Sequence, residues 1–466
     1  MTTLASSAAR VAAFTLAACC SLAPTFAQDL TRKAPPQSQP IAIVGGTVHP
    51  VVGEIIPDGV VYFSGGEIKG VYTRDAWAKV VQVALFKDPL RVLDASGKHV
   101  YPGLISPYSQ LGLTEIQAVR PSNDMSETGD VTPEVVAGNA VNPDSTLLPV
   151  TRSNGVLLAG VFPTGGTIPG NASVIRLDGW TTKDMTVIER AGLVLRFPGM
   201  RAVQAWWMDT PEEDQQRASN AALERVRKFF DTALAYDTAR DGDPATPIDL
   251  RWEAMRPVFR DAAGRDAGEV AAMPLYVQAN DLDQINAAVA FCLERNLRCI
   301  IVGGRDADRC ADLLKAHDIP VILSAGTFQL PRRGDAAYDD AFTLPARLHA
   351  AGVRFSIAGG DDTAHERNLP YAVAMAVAHG LPHDAGIKAI TLDAAAVLGV
   401  ADRYGSLEPG KSATLIITTD SPLEVRSNVV AAFIDGREID LSNKQTKLYE
   451  KYLERYRQSG DLPPKP

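Results

Sequence analysis

Two acidic residues and a histidine stand close together in the last third of the chain, at Asp361, Asp362 and His365. A carboxylate beside an imidazole can move a proton, and a carboxylate can also hold a metal ion. The group follows the apolar stretch Arg354 to Ala358, which has the length and composition of a buried strand. We therefore take Asp361, Asp362 and His365 as candidate catalytic residues.

The motifs of several common hydrolase classes do not occur in the sequence. GxSxG, HExxH and SxxK are absent, so the nucleophile elbow, the zinc-protease helix and the serine-lysine pair have no counterpart. Beyond the first 27 residues the cysteines are Cys292, Cys299 and Cys310, without a CxxC spacing that would indicate a zinc knuckle or a thioredoxin-like site. We expect them to be small buried residues, although two of them could form a disulfide in an oxidising compartment.

Length and composition indicate a globular protein with more than one domain. The chain has 466 residues, of which 46% are hydrophobic and 22% charged, which excludes intrinsic disorder and a membrane protein with several spans. Its formal charge of −9, without a run of Lys or Arg, would repel a phosphate backbone. Nucleic acid is therefore not an expected partner.

The first 27 residues resemble an export signal. Arg10 precedes an apolar run from Val11 to Ala23, and a small-residue cleavage site ends at Ala27. This predicts a periplasmic or secreted protein with a mature charge of −10, and no transmembrane helix after signal removal. The alternative is the lipobox-like Leu16 to Cys19, which would leave a lipid anchor on Cys19.

Past residue 100, apolar segments of strand length alternate with amphipathic helical segments. Predicted strands lie within residues 156–162, 274–277, 298–302, 320–323 and 354–358, and predicted helices within 282–296, 306–317, 344–351 and 371–379. A long helix is predicted from about Thr210 toward Tyr236. Repeated strand–helix units indicate a parallel sheet covered by helices, and roughly 300 residues are enough for a closed (β/α)8 barrel.

Short all-β segments lie before and after this region, and both contain glycine turns. They are best explained if they pair into one discontinuous domain. The predicted organisation is a signal peptide at 1–27, a linker at 28–40, the first part of a β-sandwich domain at 41–100, a barrel at 101–400, the second part of the β domain at 401–440, and a C-terminal helix and tail at 441–466.

The segment Leu93 to Lys98, followed by Pro102-Gly103-Leu104-Ile105 and the later turn Gly405 to Lys411, resembles the amidohydrolase superfamily. The similarity extends over nearly the whole mature chain and is strongest to secreted imidazolonepropionase-like and dihydroorotase-like members. It implies an α/β fold, a (β/α)8 TIM-like barrel with a discontinuous small β-sandwich domain built from the N- and C-terminal segments. It also implies a metal-activated water that attacks a carbonyl or imine carbon at the C-terminal ends of the barrel strands.

The positions at which this family carries metal ligands hold other residues here. Two histidines of the first strand correspond to Tyr108 and Gln110, that of the fifth strand to Gln278, and that of the sixth to Gly303. A phenol loses its proton only near pH 10, and an amide oxygen binds zinc weakly. The eighth-strand aspartate corresponds to Asp361. The resemblance therefore implies a metal centre of which one ligand is kept.

From this we expect an exported amidohydrolase-like protein that binds a small molecule at the barrel mouth, without the usual metal-dependent hydrolysis and without a cofactor. One alternative is a hydrolase of C–N bonds in amides or cyclic amides that uses Asp361, with one divalent metal such as zinc in a non-standard site. Another is an interaction protein of the cell envelope. Whether the chain is an enzyme, and whether it forms a homo-oligomer, are left open.

Overall fold

The computed structural model describes residues 32–83, 89–204, 207–259, 272–324, 336–360 and 362–462. The strands are β1 (Ile41–Val48), β2 (Ile56–Ser64), β3 (Glu67–Thr73), β4 (Arg91–Asp94), β5 (His99–Pro102), β6 (Leu104–Ser109), β7 (Val156–Val161), β8 (Gly170–Arg176), β9 (Thr186–Arg196), β10 (Leu275–Ala279), β11 (Cys299–Gly303), β12 (Val321–Leu323), β13 (Phe355–Ile357), β14 (Leu415–Thr418), β15 (Val429–Ile434) and β16 (Arg437–Glu438). The α-helices are α1 (Arg74–Val83), α2 (Leu147–Arg152), α3 (Thr182–Met185), α4 (Glu212–Gly242), α5 (Leu250–Met255), α6 (Leu282–Glu294), α7 (Ala311–Ala316), α8 (Asp340–Ala351), α9 (Leu369–Ala378), α10 (His383–Ala389), α11 (Leu392–Val397) and α12 (Lys444–Gln458).

One of the two eight-stranded sheets forms the barrel that the sequence predicts. Its strand order is β13-β12-β11-β10-β9-β8-β7-β6. Every residue of β6, β7 and β11 is buried, as expected for barrel strands covered on both faces. The α/β barrel fold is confirmed.

One strand departs from the regular strand–helix repeat. β8 pairs antiparallel with both β7 and β9, whereas the other neighbouring strands of this sheet run parallel to each other. The connection from β8 to β9 holds only the single-turn helix α3, which is too short for a parallel crossover. The chain therefore returns as a β-hairpin at this point of the barrel.

The first and last strands of the barrel, β6 and β13, lie side by side without a ladder of hydrogen bonds within the described residues. The amide of Ile105 in β6 instead donates to the carbonyl of Ile390 at 2.8 Å. We call this region, where β6 and β13 meet, the barrel seam.

The second sheet combines both ends of the chain, in the order β16-β15-β14-β5-β1-β2-β3, with β4 paired to β1. Four strand spacings, roughly 19 Å, would separate β15 from β2 if the sheet were flat. The rings of Phe63 on β2 and Phe433 on β15 nevertheless pack edge-to-face, 5.2 Å apart. The sheet therefore folds over on itself and encloses its own core.

Residues 32–40 do not behave as the free linker that we expected of 28–40. Lys33 and Ala34 are buried, and the Ala34 amide donates to Asp178 at 3.2 Å. Asp178 in turn pairs with Arg152 at 3.3 Å, and both side chains are 1% exposed. The polar, proline-rich composition predicted a linker. In the structure, however, Asp178 of a buried ion pair also accepts from the Ala34 amide and so holds this segment against the barrel.

Candidate functional site at the barrel mouth

Tyr108 and Gln278 meet in the barrel although their strands are not neighbours. Tyr108 lies near the C-terminal end of β6 and Gln278 near that of β10, with β7, β8 and β9 between them in the sheet. Gln278 Nε2 donates to Tyr108 Oη over a long hydrogen bond of 3.4 Å. The structure thus brings together two of the residues at positions that the resemblance assigns to metal ligands.

Aromatic side chains pack beneath this contact. The ring of Phe162 lies 4.8 Å from that of Tyr108 and 4.9 Å from that of Tyr276. The Tyr276 hydroxyl donates to the carbonyl of Val397 at 2.8 Å, and its burial raises its pKa. The mouth therefore has a rigid aromatic floor below a pair of polar groups.

The two other positions that the resemblance assigns to metal ligands, Gln110 and Gly303, are buried. Gln110 follows β6 and is 6% exposed. Gly303 ends β11 with φ at +113°, and a Cβ added there would lie 2.6 Å from Asn280 Oδ1 and 2.9 Å from the Ala279 carbonyl oxygen. A histidine at 303 would therefore be strained and would collide with Asn280. Asn280 Oδ1 is buried and lacks a hydrogen-bond partner among the described residues.

Of the three candidate catalytic residues, Asp362 and His365 form a pair, while Asp361 lies outside the described residues. His365 Nδ1 is 2.9 Å from Asp362 Oδ2, with side chains 63% and 50% exposed. Asp362 Oδ1 also accepts from the Ala364 amide at 3.0 Å and so caps the 3-10 helix Thr363–Asn368. The pair lies beyond the C-terminal end of β13, on the mouth side.

Sequence reasoning missed Glu366, the neighbour of His365. It is 1% exposed at the barrel seam, next to Gly359 and to the β6 residues Ser106 and Ser109. Burial raises the pKa of its carboxyl to about 7, although hydrogen bonding from both serines lowers it. Its Oε1 has no hydrogen-bond partner within the described part of the chain. The sequence feature that could have indicated a buried polar partner is the pair of serines in a strand whose other residues are apolar or aromatic.

A long loop between β6 and α2 lies against the connection that leaves β7, and so borders the mouth. The Thr164 amide donates to the Met125 carbonyl at 2.7 Å, and Asn171 Nδ2 donates to that of Pro133 at 2.6 Å. A Cβ on Gly166 would lie 2.7 Å from the Asp130 carbonyl oxygen, so glycine is required for this close approach. The loop is fixed by backbone contacts.

The side chains at this mouth do not fit the divalent metal of the resembled family. The four positions that the resemblance assigns to metal ligands hold a phenol, two amides and a glycine. A phenol and an amide are poor zinc donors, and glycine has no side chain. Across the residues that the structure describes, no group of three or more His, Cys, Asp and Glu could hold a metal ion.

Other histidines lie away from the mouth. His49 Nε2 and His99 Nδ1 are 2.9 Å apart, and His49 stacks on Tyr101 with ring centroids 4.1 Å apart. With His383 they lie between the β sheet and the barrel, near the strand that precedes β6. Burial first, then the charges of His99 and His383, lowers the pKa of His49 to about 4.

The three cysteines described by the structure are buried free thiols, Cys292, Cys299 and Cys310. Burial raises the pKa of Cys310 to about 11. In the described ranges, no helix has the length and apolar composition to cross a membrane.

Comparison with known proteins supports a hydrolase family. A model described as "Amidohydrolase family" matches residues 271–439. The imidazolonepropionase of Geobacillus kaustophilus is 25% identical over 418 residues, which cover 81% of this chain and 89% of that protein. Amidohydrolase tasK of Hapsidospora irregularis is 22% identical over 375 residues, which cover 74% of this chain but span only 37% of that relative.

Solved structures show the same fold. An amidohydrolase from Thermotoga maritima superposes with a TM-score of 0.71 at 23% identity, covering 86% of this chain and 99% of that one. Molinate hydrolase superposes with a TM-score of 0.53 at 16% identity, covering 87% and 95%. Together with the barrel and the discontinuous β domain, these similarities support the assignment of the chain to the amidohydrolase superfamily.

Proposed function

We propose that this chain is an exported amidohydrolase-fold protein that binds a small amide-bearing molecule at the barrel mouth, without metal-dependent hydrolysis. The observation that carries the proposal is the contact between Tyr108 and Gln278, at positions where the resemblance implies metal-binding histidines. The collision that a side chain at Gly303 would meet supports it, since that position cannot return to a ligand by a single substitution.

The chemistry of this polar pair matches an amide. A tyrosine hydroxyl can donate and accept, and a glutamine side chain offers both a carbonyl oxygen and an NH2 group. An amide presents the complementary oxygen and N–H. Gln278 is half-buried, and its partner Tyr108 is 7% exposed and packs against the ring of Phe162. Two hydrogen bonds to a ligand amide would replace their one mutual hydrogen bond.

Binding of a panel of amides, cyclic amides and ureas, with the matching esters as controls, tests this proposal. We expect a member of the amide set to raise the thermal unfolding temperature and to bind in calorimetry. Tyr108→Phe removes one hydroxyl and should weaken that binding about tenfold, the value of one hydrogen bond. Tyr338→Phe, at a side chain that is 75% exposed, should leave it unchanged.

Two outcomes would contradict the proposal. One is a panel in which no amide binds. The other is a ligand whose affinity is the same for wild type and Tyr108→Phe.

A second candidate function is hydrolysis of C–N bonds in amides or cyclic amides. The His365–Asp362 pair favours it, because a carboxylate at 2.9 Å can orient an imidazole for proton transfer. It requires a measurable wild-type rate on the amide panel that is lost in Asp361→Ala and reduced in His365→Ala. A rate that survives both substitutions counts against this function.

A further inference from the structure

The C-terminal helix α12 is anchored at its first residue and open along its length. Its N-cap residue Asn443 is buried, accepts from the amides of Gln445 and Thr446, and donates to Ser153 Oγ at 3.0 Å. None of the 15 helical residues is buried within the described structure. The helix is therefore fixed at its N-terminus and exposed along its length, so that its surface is available to a partner.

One face of this helix carries an exposed apolar stripe. Leu448, Tyr449, Tyr452 and Tyr456 are 42%, 67%, 48% and 47% exposed. Their spacing of three and four residues places them on a common face. Leu453, which lies at one border of the stripe, is only half-exposed. The four side chains of the stripe itself are left largely uncovered by the rest of the described chain.

The helix is positively charged on an otherwise acidic protein. Its charged residues are Lys444, Lys447, Lys451, Arg455 and Arg457, with Glu450 and Glu454, which sum to +3. Removing this +3 from the formal −9 leaves −12 for the rest of the chain. Basic residues spaced seven and four positions apart border one edge of the stripe, namely Lys444, Lys451 and Arg455. Such a face is complementary to an acidic surface.

We infer that α12 docks on the acidic body of a second copy of this chain, so that each subunit of a twofold dimer lends its helix to the other. Such an arrangement is isologous and closed, which makes each contact occur twice. Tyrosine and arginine are the residue types enriched in protein interfaces.

The exposed area is sufficient for a stable dimer. With about 200 Å² for a whole tyrosine, the stripe exposes roughly 400 Å² per helix. Two helices and the surfaces that they cover would then bury roughly 1,600 Å², the size of a standard specific interface.

An anionic lipid surface is the competing partner. Tyrosine hydroxyls need hydrogen-bond partners when they are buried, and a protein surface supplies these more fully than acyl chains do. The tyrosines of the stripe therefore favour the second copy.

Sedimentation velocity of the full mature chain, from low to high micromolar concentration, tests the inference. We expect a dimer at low salt that dissociates more readily at 0.5 M salt. Tyr452→Ser with Tyr456→Ser, and separately Lys451→Glu with Arg455→Glu, should each raise the dimer dissociation constant at least tenfold. Lys79→Glu with Arg225→Glu changes the net charge equally at exposed sites on other helices and should have less than a twofold effect.

Circular dichroism establishes that each variant keeps its helix content. Three results would overturn the inference: a wild type that stays monomeric at every concentration, a dimer that both α12 variants leave intact, or a monomer that co-sediments with vesicles containing phosphatidylglycerol. A photoreactive residue in place of Tyr452 should crosslink to a body peptide of another copy. Crosslinks confined to the same subunit would also contradict it.

Discussion

Glu366 is a buried carboxyl whose charged form the surrounding structure disfavours. It sits at the barrel seam, its Oε1 lacks a partner among the described residues, and burial raises its pKa to about 7. A group with a raised folded-state pKa keeps its proton longer in the native state than in the unfolded chain. Native stability must then fall as the pH rises from the ordinary value of 4.5 through about 7.

Glu366→Gln should remove this pH dependence. The shift from 4.5 to about 7 corresponds to on the order of 3 kcal/mol. We expect the variant and wild type to unfold with similar free energies at pH 4.5, and the variant to be more stable by on the order of 3 kcal/mol at pH 8. Urea unfolding at both pH values measures this difference.

The control is Glu424→Gln at an exposed carboxyl, which should behave as wild type at both pH values. If Glu366→Gln is no more stable than wild type at pH 8, the carboxyl is not held neutral by its surroundings.

Gly303 lies at a position where the surrounding atoms leave no room for a side chain. Gly303→Ala should destabilise the protein by at least about 2 kcal/mol, because the new Cβ meets Asn280 Oδ1 and the backbone has a positive φ. Gly199→Ala, where a Cβ has nothing within 4 Å, should change the unfolding free energy by less than about 0.5 kcal/mol. Equal effects at the two positions would show that the crowding at Gly303 is absent.

For single residues, the sequence indicated where a side chain lies along its strand, but it did not indicate which other side chains surround it. The Pro102 to Ile105 frame placed Tyr108 at a strand end, and the apolar run to Val277 placed Gln278, so their convergence followed from the barrel. Burial of Glu366 and the approach of Asn280 to Gly303 depend on how distant segments pack. No local pattern encodes that packing.

Among the elements, those with an apolar run or a clear helical repeat were predicted and those without one were missed. The long helix expected from about Thr210 toward Tyr236 exists as Glu212–Gly242. The hairpin of β8 and β9 was not predicted, because buried polar residues such as Asn171 and Ser173 interrupt its pattern. Their hydrogen bonds to Pro133 and Glu189 become visible only in the folded chain.

Helix α2 ends at Arg152, a buried arginine that pairs with a buried aspartate. Its guanidinium donates to the carbonyls of Leu177 and Asp440 and pairs with Asp178. Asp178→Asn removes the counter-charge and should cost about 3–5 kcal/mol of unfolding free energy. Asp249→Asn, in the exposed pair with Arg251, should cost less than about 1 kcal/mol.

Chemical denaturation of both aspartate variants measures the contrast. Similar losses of unfolding free energy in the two variants would mean that other groups compensate the charge of Arg152.

At the scale of the whole molecule, the fold resembles that of a hydrolase family, whereas the side chains at the barrel mouth are not typical metal ligands. The sheet of the β domain is complete only when strands from both ends of the chain pair, and the barrel superposes on that of an amidohydrolase of known structure. The side chains that meet at the mouth are a phenol and an amide. The sequence could predict the fold because the fold depends on many apolar positions, whereas the replacement of the metal ligands, which concerns a few positions, stays a prediction.

The most direct test of the central claim is the metal content of the purified full chain. The protein is incubated with excess zinc, manganese or iron, freed of unbound metal by gel filtration, and analysed by inductively coupled plasma mass spectrometry. We predict less than about 0.1 equivalent of each metal, because one kept aspartate among poor donors cannot bind a divalent ion tightly. One tightly bound equivalent of any of the three, lost in Asp361→Ala, would contradict the account.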